Sequence, residues 1–364
     1  MKMTVETALL LKSLRQVESA VQERGYIPAT RGILFEVDKS VAYICATDLE
    51  NTLQTEVVCE ADEKGEFLVN GKKLVGLVSK ITEEKIVFEK SESGLNITAG
   101  SSEYKLLTMD TEEFPKIPAV AAGMVINLTG EQFLACLRSI SFCIDPDEPR
   151  PHFRGVLLDI LPDRINMVGT DTKQLAINSI EIKNEKQTKV LIPVKSVSIF
   201  QKSLGNDNME IHISKNAAFV KQGVLEITSQ LLAGSEDYPK YDTVIPKETA
   251  LQFAEIPVKP FLSALNRLAV ILTERYQKVI YTFSKNKLLL EHFNPESGNA
   301  REELAITFGG EETKVALNPS ILAFLSKIAG DTVKVGVKDG KTPLLLKGDA
   351  DKGLFITMPL KMDE

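Results

Sequence analysis

The sequence is poor in the residues that build metal and redox centres. It holds four cysteines, three histidines and no tryptophan in 364 residues. Cys45, Cys59, Cys136 and Cys143 form no Cys-x-x-Cys pair, and with His152, His212 and His292 they give no cluster of zinc-ligand spacing. The expectation is therefore no metal, no cofactor and reduced, buried cysteines in a cytoplasmic protein. No apolar run reaches the roughly 18 residues that would suggest a membrane-spanning helix. The opening segment Met1–Leu14 has an apolar patch broken by Lys12 and no small-residue cleavage site, so it does not read as a secretory signal. Glycine and proline counts of 22 and 16 are ordinary, and 43% of residues are hydrophobic. That composition excludes collagen, a coiled-coil rod and wholesale disorder. At about 100–200 residues per domain the length suggests two or three domains. The net charge of −7, taken alone, argues against a nucleic-acid partner.

What the sequence does contain is a long internal repeat. EEFPKIP (112–118) recurs as EDYPKYDTVIP (236–246), with Pro115 and Pro239 124 positions apart. ATDLENTLQTEV (46–57) recurs as GTDTKQLAINSI (169–180), with Asp48 and Asp171 123 apart. FLVNGKKLVGLVSKI (67–81) recurs as VLIPVKSVSIFQKSL (190–204) and again as VALNPSILAFLSKIA (315–329). Three copies of about 120 residues fill the chain, too long a period for a solenoid. Each copy reads as strand, helix, several strands, helix, several strands. The first helices are expected over 6–19, 130–142 and 258–272, and the second over 71–80, 194–204 and 318–329. Pro193, Pro257 and Pro319 stand at or just before helix starts, where a missing N–H costs nothing. MEIHIS (209–214) and TVKVGVK (332–338) alternate as half-buried strands do. Two helices must then pack on one face of antiparallel sheet in each copy, an α+β arrangement. The expected domains are 1–121, 122–246 and 247–364.

The helical stretches are amphipathic and unevenly charged. Leu10, Leu14, Val17 and Val21 share one side of the first, with Lys12, Arg15, Gln16 and Ser19 opposite. Phe261, Leu265, Leu268 and Leu272 align in the fifth, with Lys259, Ser263, Asn266 and Arg267 facing away. The six stretches carry Lys12, Arg15, Lys72, Lys73, Lys80, Arg138, Lys195, Lys202, Lys259, Arg267 and Lys327 against only Glu6, Glu18 and Glu131. That is a net of +8, which leaves −15 for the rest of the chain. Lysine on solvated helix faces is the plain explanation. Glutamate is an equally good helix former, however, and acids outnumber bases here. A helical surface that faces a polyanion, with an acidic sheet surface elsewhere, accounts for the separation. Tandem similar domains with equal rotation between them close into a ring. Three per chain would form half of a ring, with two chains joined head to tail and the helices lining one wall.

At this point the residues resemble a known family, the bacterial DNA polymerase III beta subunits, or sliding clamps. The likeness runs along the whole chain: the opening MKMTVE, RGYIPATRGILFEV (24–37), GTDTKQLA (169–176), YPKYDTVIP (238–246) and the closing FITMPLKM (355–362). The resemblance implies a non-catalytic processivity factor of DNA replication with the DNA clamp fold. It implies a homodimeric ring encircling double-stranded DNA without sequence-specific contacts and tethering the replicative polymerase. It also implies binding of the catalytic subunit, the clamp loader and repair proteins through short linear peptides. Arg24 and Lys195 match basic DNA-contacting positions, and join the helix cations named above, Lys327 apart, as candidate phosphate contacts. A peptide pocket is implied at Phe153, Thr170, Leu175, Pro239, Thr243, Val244, Ile356, Met358 and Pro359. A dimer contact is implied between Tyr104 and Leu106 of the first domain and Ile271 and Leu272 of the last. The chain departs from the family pattern at Thr172-Lys173-Gln174, where many clamps read Gly-His-Arg, and at Pro151-His152 in place of aromatic residues. Asp363 and Glu364 extend the tail and could set acid beside the pocket.

Other readings of single features are weaker. Asp48 and Asp171 sit in Thr-Asp turns and read as turn caps. Phe153, Leu175, Val244, Met358, Leu106, Ile271 and Leu272 could equally be core. Cys136 and Cys143 read as packing residues, and His212 as solvated on the polar side of its strand. GVKDGKT (336–342) has three residues between its glycines where a phosphate loop needs four, and no helix follows. A hydrolase or nucleotide-dependent enzyme lacks any surviving nucleophile, base or phosphate loop. The remaining alternative is a monomeric three-domain peptide-binding scaffold.

Overall fold

The computed structural model describes residues 1–364 apart from 25, 118–122, 274–276, 295, 297, 328–329, 349–352 and 363–364. The expected boundary at 121/122 and the acidic tail residues Asp363 and Glu364 lie outside the described residues. Six α-helices are described: α1 (Thr7–Val17), α2 (Gly71–Val78), α3 (Gly130–Ile140), α4 (Val194–Ser203), α5 (Val258–Ala269) and α6 (Ile321–Leu325). Each falls in an expected stretch, two per repeat. Glu6, Glu18, Lys80 and Lys327, counted with the helices above, lie outside them. Glu6 ends the first strand and stands at the N-cap of α1; Lys80 and Lys327 follow the last turns of α2 and α6. α6 is shorter than its sequence pattern because Asn318 and Pro319 form the turn that leads into it. The Asn318 side chain accepts the Ser320 N–H at 3.0 Å, and the Pro319 carbonyl accepts that of Leu322. α5 ends at Ala269, so Leu272 is half-buried beyond it rather than on its apolar face.

Helix pairs form within each repeat. α1 packs on α2 and α5 on α6, while Phe133 of α3 meets Phe200 of α4 with ring centroids 5.9 Å apart. Leu10, Leu14 and Val17 of α1 are wholly buried, as expected from their spacing. Each such side chain stabilises the fold by about 1.5–3 kcal/mol. The four cysteines are buried, and none forms a disulfide among the described residues. Burial pushes the Cys45 thiol up to about 12 and raises that of Cys143 as well, so neither is an available nucleophile at neutral pH. His212 differs from expectation: it is half-buried, edge-on to Phe219 at 5.6 Å and 3.3 Å from the Glu210 carboxylate. No helix among the described residues is long and apolar enough to cross a membrane.

The chain groups into two compact units that do not follow the repeats: residues 1–134 with 195–231, and 135–194 with 232–364. The reason is that sheets run on across repeat borders. In the first unit a 13-stranded sheet joins strands of the first and second repeats. Leu225–Gln230 there pairs antiparallel with Asn51–Ala61, Glu226 opposite Gln54. In the second unit an eight-stranded sheet joins the second and third repeats, with Leu175 of Gln174–Glu181 opposite Ile356 of Leu354–Thr357. A separate four-stranded sheet holds Val279–Ser284, Lys287–Asn294, Gly298–Ala305 and Thr313–Leu317. All strand pairings among the described residues are antiparallel.

A buried polar chain locks the seam of the first sheet. Asn51, Ser196 and Ser229 are wholly buried. The Ser196 hydroxyl donates to Asn51 Oδ1 at 2.7 Å, and the Ser229 hydroxyl donates to Ser196 Oγ at 2.7 Å. Removing one member leaves buried partners unsatisfied, which costs about 1–3 kcal/mol. Asn51→Ala should therefore lower the stability read from urea unfolding by about 2 kcal/mol; an unchanged midpoint would show that the chain contributes nothing.

Candidate functional site

The two Thr-Asp turns repeat one another bond for bond. In the first, Asp48 Oδ1 accepts the N–H groups of Glu50 at 3.0 Å and Asn51 at 2.6 Å, and Thr47 Oγ1 accepts that of Leu49. In the second, Asp171 Oδ1 accepts those of Lys173 at 2.9 Å and Gln174 at 2.6 Å, and Thr170 Oγ1 accepts that of Thr172. Both aspartates are turn caps, as their spacing suggested. Each turn holds a residue at positive φ, Leu49 at 77° and Thr172 at 73°.

Helix electrostatics sort the basic residues into two groups. Arg15, Arg138, Lys202 and Arg267 lie in the last turns of α1, α3, α4 and α5. A cation is favoured there by the helix dipole, whatever lies outside. Lys72 and Lys73 of α2, Lys195 of α4 and Lys259 of α5 lie in first turns, where the dipole favours acids. None of those three first turns contains an acid. Neither helix propensity nor the dipole accounts for that placement.

Not all candidate phosphate contacts are free. Lys195 Nζ lies 3.0 Å from Asp48 Oδ2 and 3.0 Å from Glu50 Oε2. Partial burial works against its charge, but the two carboxylates outweigh it and hold its pKa above the ordinary lysine value. Arg267 makes a two-pronged pair with Glu302, both bonds 2.7 Å, and Lys72 pairs with Glu18 at 3.3 Å. In these three the charge already faces an acid that the sequence places far away. Lys12, Arg15, Arg24, Lys73, Lys80, Arg138, Lys202 and Lys259 are exposed and make no ion pair among the described residues.

In the second unit a cavity of about 340 Å³ opens beside the Asp171 turn. It is lined by Phe153, Thr170, Leu175, Pro239, Thr243, Val244, Ile356 and Met358. Pro359 does not line it. Phe153, Leu175 and Ile356 belong to a buried apolar cluster with Leu157, Val168, Leu191, Tyr238 and Leu345, so they are core and cavity floor at once. Val244 and Met358 are about half exposed, at 49% and 46%. Tyr238 stands edge-on to Phe153 at 5.6 Å. The Tyr241 hydroxyl donates to Asp159 Oδ2 at 2.8 Å and accepts from Asn166 Nδ2 at 3.0 Å. Burial, with the Asp159 bond adding to it, pushes the Tyr241 pKa up to about 12. The ring is thus a fixed neutral wall. An apolar floor with a partly exposed apolar lip and a polar edge suits hydrophobic side chains of an extended segment. No grouping of three metal-ligating side chains occurs among the described residues.

Family models for the N-terminal, central and C-terminal domains of the DNA polymerase III beta subunit match residues 1–118, 127–240 and 242–361. The chain belongs to the sliding-clamp family. The beta sliding clamp of Chlamydia pneumoniae is 27% identical over 371 aligned residues, and that of Vibrio cholerae 24% over 369, each covering the whole of both chains. In fold, the DNA polymerase III beta subunit of Thermotoga maritima superimposes with a TM-score of 0.93 at 23% identity over the full length of both chains. That of Pseudomonas aeruginosa gives 0.91 at 24% identity, covering 99% of this chain and all of the other. Sliding clamps are non-catalytic processivity factors. The three-domain clamp fold, built of helices on antiparallel sheet, is the fold of this chain.

Against that frame of a clamp, the residues implied for the dimer contact fall at two places. Tyr104 and Leu106 lie on Ser102–Leu106, which among the described residues pairs on one side only, with Gly94–Ala99. Tyr104 is 40% exposed and Leu106 half-buried. Ile271 and Leu272, both half-buried, follow α5 in the second unit. The cavity's remaining lining is Arg150, Thr172, Lys173, Gln174, Tyr238, Lys240 and Tyr241. The departure at Thr172-Lys173-Gln174 had marked its polar rim, whereas Arg150, Tyr238, Lys240 and Tyr241 were missed; a signal was present for the last three, which sit in the second copy of the repeated Pro-Lys segment, EDYPKYDTVIP.

Thr172 is the β-branched residue among those at positive φ. A β-branched residue in the left-handed region costs about 1–2 kcal/mol, more than the roughly 0.5–1 kcal/mol that glycine loses to chain entropy. Thr172→Gly should raise stability by about 0.5–1 kcal/mol, measured as an upward shift of the thermal midpoint. A lower midpoint would mean that the threonine side chain contributes more than the strain it bears.

Proposed function

We propose that two copies of the chain join head to tail into a closed ring around duplex DNA and tether the replicative polymerase there. The observation that carries the reading is the placement of Lys73 and Lys259, exposed, unpaired and in helix first turns where an isolated helix would prefer acid. A polyanion facing those helices accounts for them. With Lys12, Arg15, Arg24, Lys80, Arg138 and Lys202 they would form a loose cationic lining that touches phosphates without reading bases, as sliding requires. Lys195, Lys72 and Arg267 would act mainly within the protein. The proposed domains are 1–121, 122–246 and 247–364. The unpaired edge of Ser102–Leu106, bearing Tyr104 and Leu106, would be closed by the partner copy near its Ile271 and Leu272, since an exposed strand edge is a ready pairing surface. The cavity floored by Phe153, Leu175 and Ile356 would receive short peptides of the polymerase, clamp loader and repair proteins, with Pro359 outside it. A monomeric peptide-binding scaffold would use the same cavity but leaves the first-turn lysines without a cause.

The ring and the cationic lining can be separated in one experiment. Loaded onto DNA, the protein should stay on closed circles at high salt and run off linear duplex, because salt weakens contacts and not topology. In solution it should sediment at about twice its 40.1 kDa chain mass. Lys73→Gln with Lys259→Gln should weaken binding to linear duplex at low salt and flatten its salt dependence, while leaving retention on circles intact. The same pair should raise helix stability by a few tenths of a kcal/mol each, about 0.3–0.5. Equal loss from circles and linear DNA, or a stable monomer at micromolar concentration, would overturn the proposal.

A further inference from the structure

The cavity has an electrostatic bias that runs against the chain as a whole. The chain has 50 acidic residues to 43 lysines and arginines. Among the described residues lining the cavity, Arg150, Lys173 and Lys240 are basic and none is acidic. Arg150 is committed: its Nε donates to Glu148 at 2.6 Å, and its guanidinium carbon lies 4.7 Å from the centre of the Phe153 ring. Lys173 and Lys240 are exposed and make no ion pair among the described residues. Among the described residues, Asp171 and Asp242, which neighbour these lysines in sequence, do not line the cavity. Asp171 is occupied by the N–H groups of Lys173 and Gln174 and by the Gln174 side-chain amide. Two free ammonium groups on the edge of an apolar floor set a requirement on what binds there.

We infer that the cavity selects acidic linear peptides: hydrophobic side chains on the Phe153, Leu175 and Ile356 floor, with aspartate or glutamate between or beside them meeting Lys173 and Lys240. The inference rests on the proposed peptide site and adds to it the charge of the partner. The turn that carries Lys173 is held by the Asp171 cap, so that lysine's backbone is fixed before a ligand arrives. Opposite charge across a partly exposed rim acts through selectivity and encounter rate more than through raw affinity, and salt weakens it.

Three synthetic hexapeptides test this by fluorescence anisotropy on the full-length protein. All carry the same two leucines and one phenylalanine; the other three positions are aspartate, serine or lysine. At about 0.05 M salt the aspartate peptide should bind about tenfold tighter than the lysine peptide, with serine between, and the gap should shrink severalfold at about 0.5 M. Lys173→Glu with Lys240→Glu should reverse the order. Met358→Glu with Val244→Glu should abolish binding of all three. If the three peptides bind equally and the Met358 and Val244 changes still abolish binding, the charge inference is overturned while the peptide site stands. An aspartate preference that survives the two lysine reversals also overturns it. If no peptide binds, the site itself is misassigned and the inference falls with it.

Discussion

The structure depends on hydrogen bonding that ignores the repeat borders. Two of its three sheets are built by strands of neighbouring repeats pairing edge to edge, Glu226 opposite Gln54 in one and Leu175 opposite Ile356 in the other. An exposed strand edge is a liability in any β-rich protein. Here each seam converts two such edges into interior ladder. The second seam also creates the cavity, because Leu175 and Ile356 become neighbours on its floor only through that pairing. The first seam brings α4 under the Asp48 turn, where Ser196 and Lys195 find Asn51, Asp48 and Glu50.

Charge is organised on two levels. The helix dipole explains the cations at helix ends, as it would in any protein. It does not explain Lys73 or Lys259, and those are the positions on which the proposed cationic lining rests. Lys195 shows the opposite outcome. Its first-turn position is as unfavourable as theirs, but Asp48 and Glu50 supply the missing negative charge from within the same unit. Sequence position alone cannot tell these cases apart, since 145 residues separate Lys195 from Glu50.

Much was legible before any coordinates. The spacing of Leu10, Leu14 and Val17, the Asp48 and Asp171 caps, the buried cysteines and the two-helix repeats all follow from local pattern, and local pattern is what short-range physics fixes. The candidate pocket was legible only through family resemblance; eight of its nine residues line one cavity. Pro359 falls outside it, and of the basic rim only Lys173 was noted, while Arg150 and Lys240 went unseen. Those residues come from separate stretches of chain, and no periodicity joins them. The shortened α6 is a smaller case: Asn318 and Pro319 carry a helix-start pattern, yet the Asn318 side chain closes a turn instead.

The sequence by itself determined the three-copy architecture, the amphipathic helices and the sign separation between helix and remainder. Each of these is a property of residues close together in the chain, or of their sums. Tertiary structure alone decided which cations are free, because an ion pair needs two groups within about 4 Å regardless of sequence distance. It alone decided that the sheets cross repeat borders, since strand pairing is chosen by the register that buries both apolar faces. It also decided that an overall acidic chain presents a basic rim around the apolar cavity beside the Asp171 turn. Charge totals do not specify geometry, and recognition is a matter of geometry.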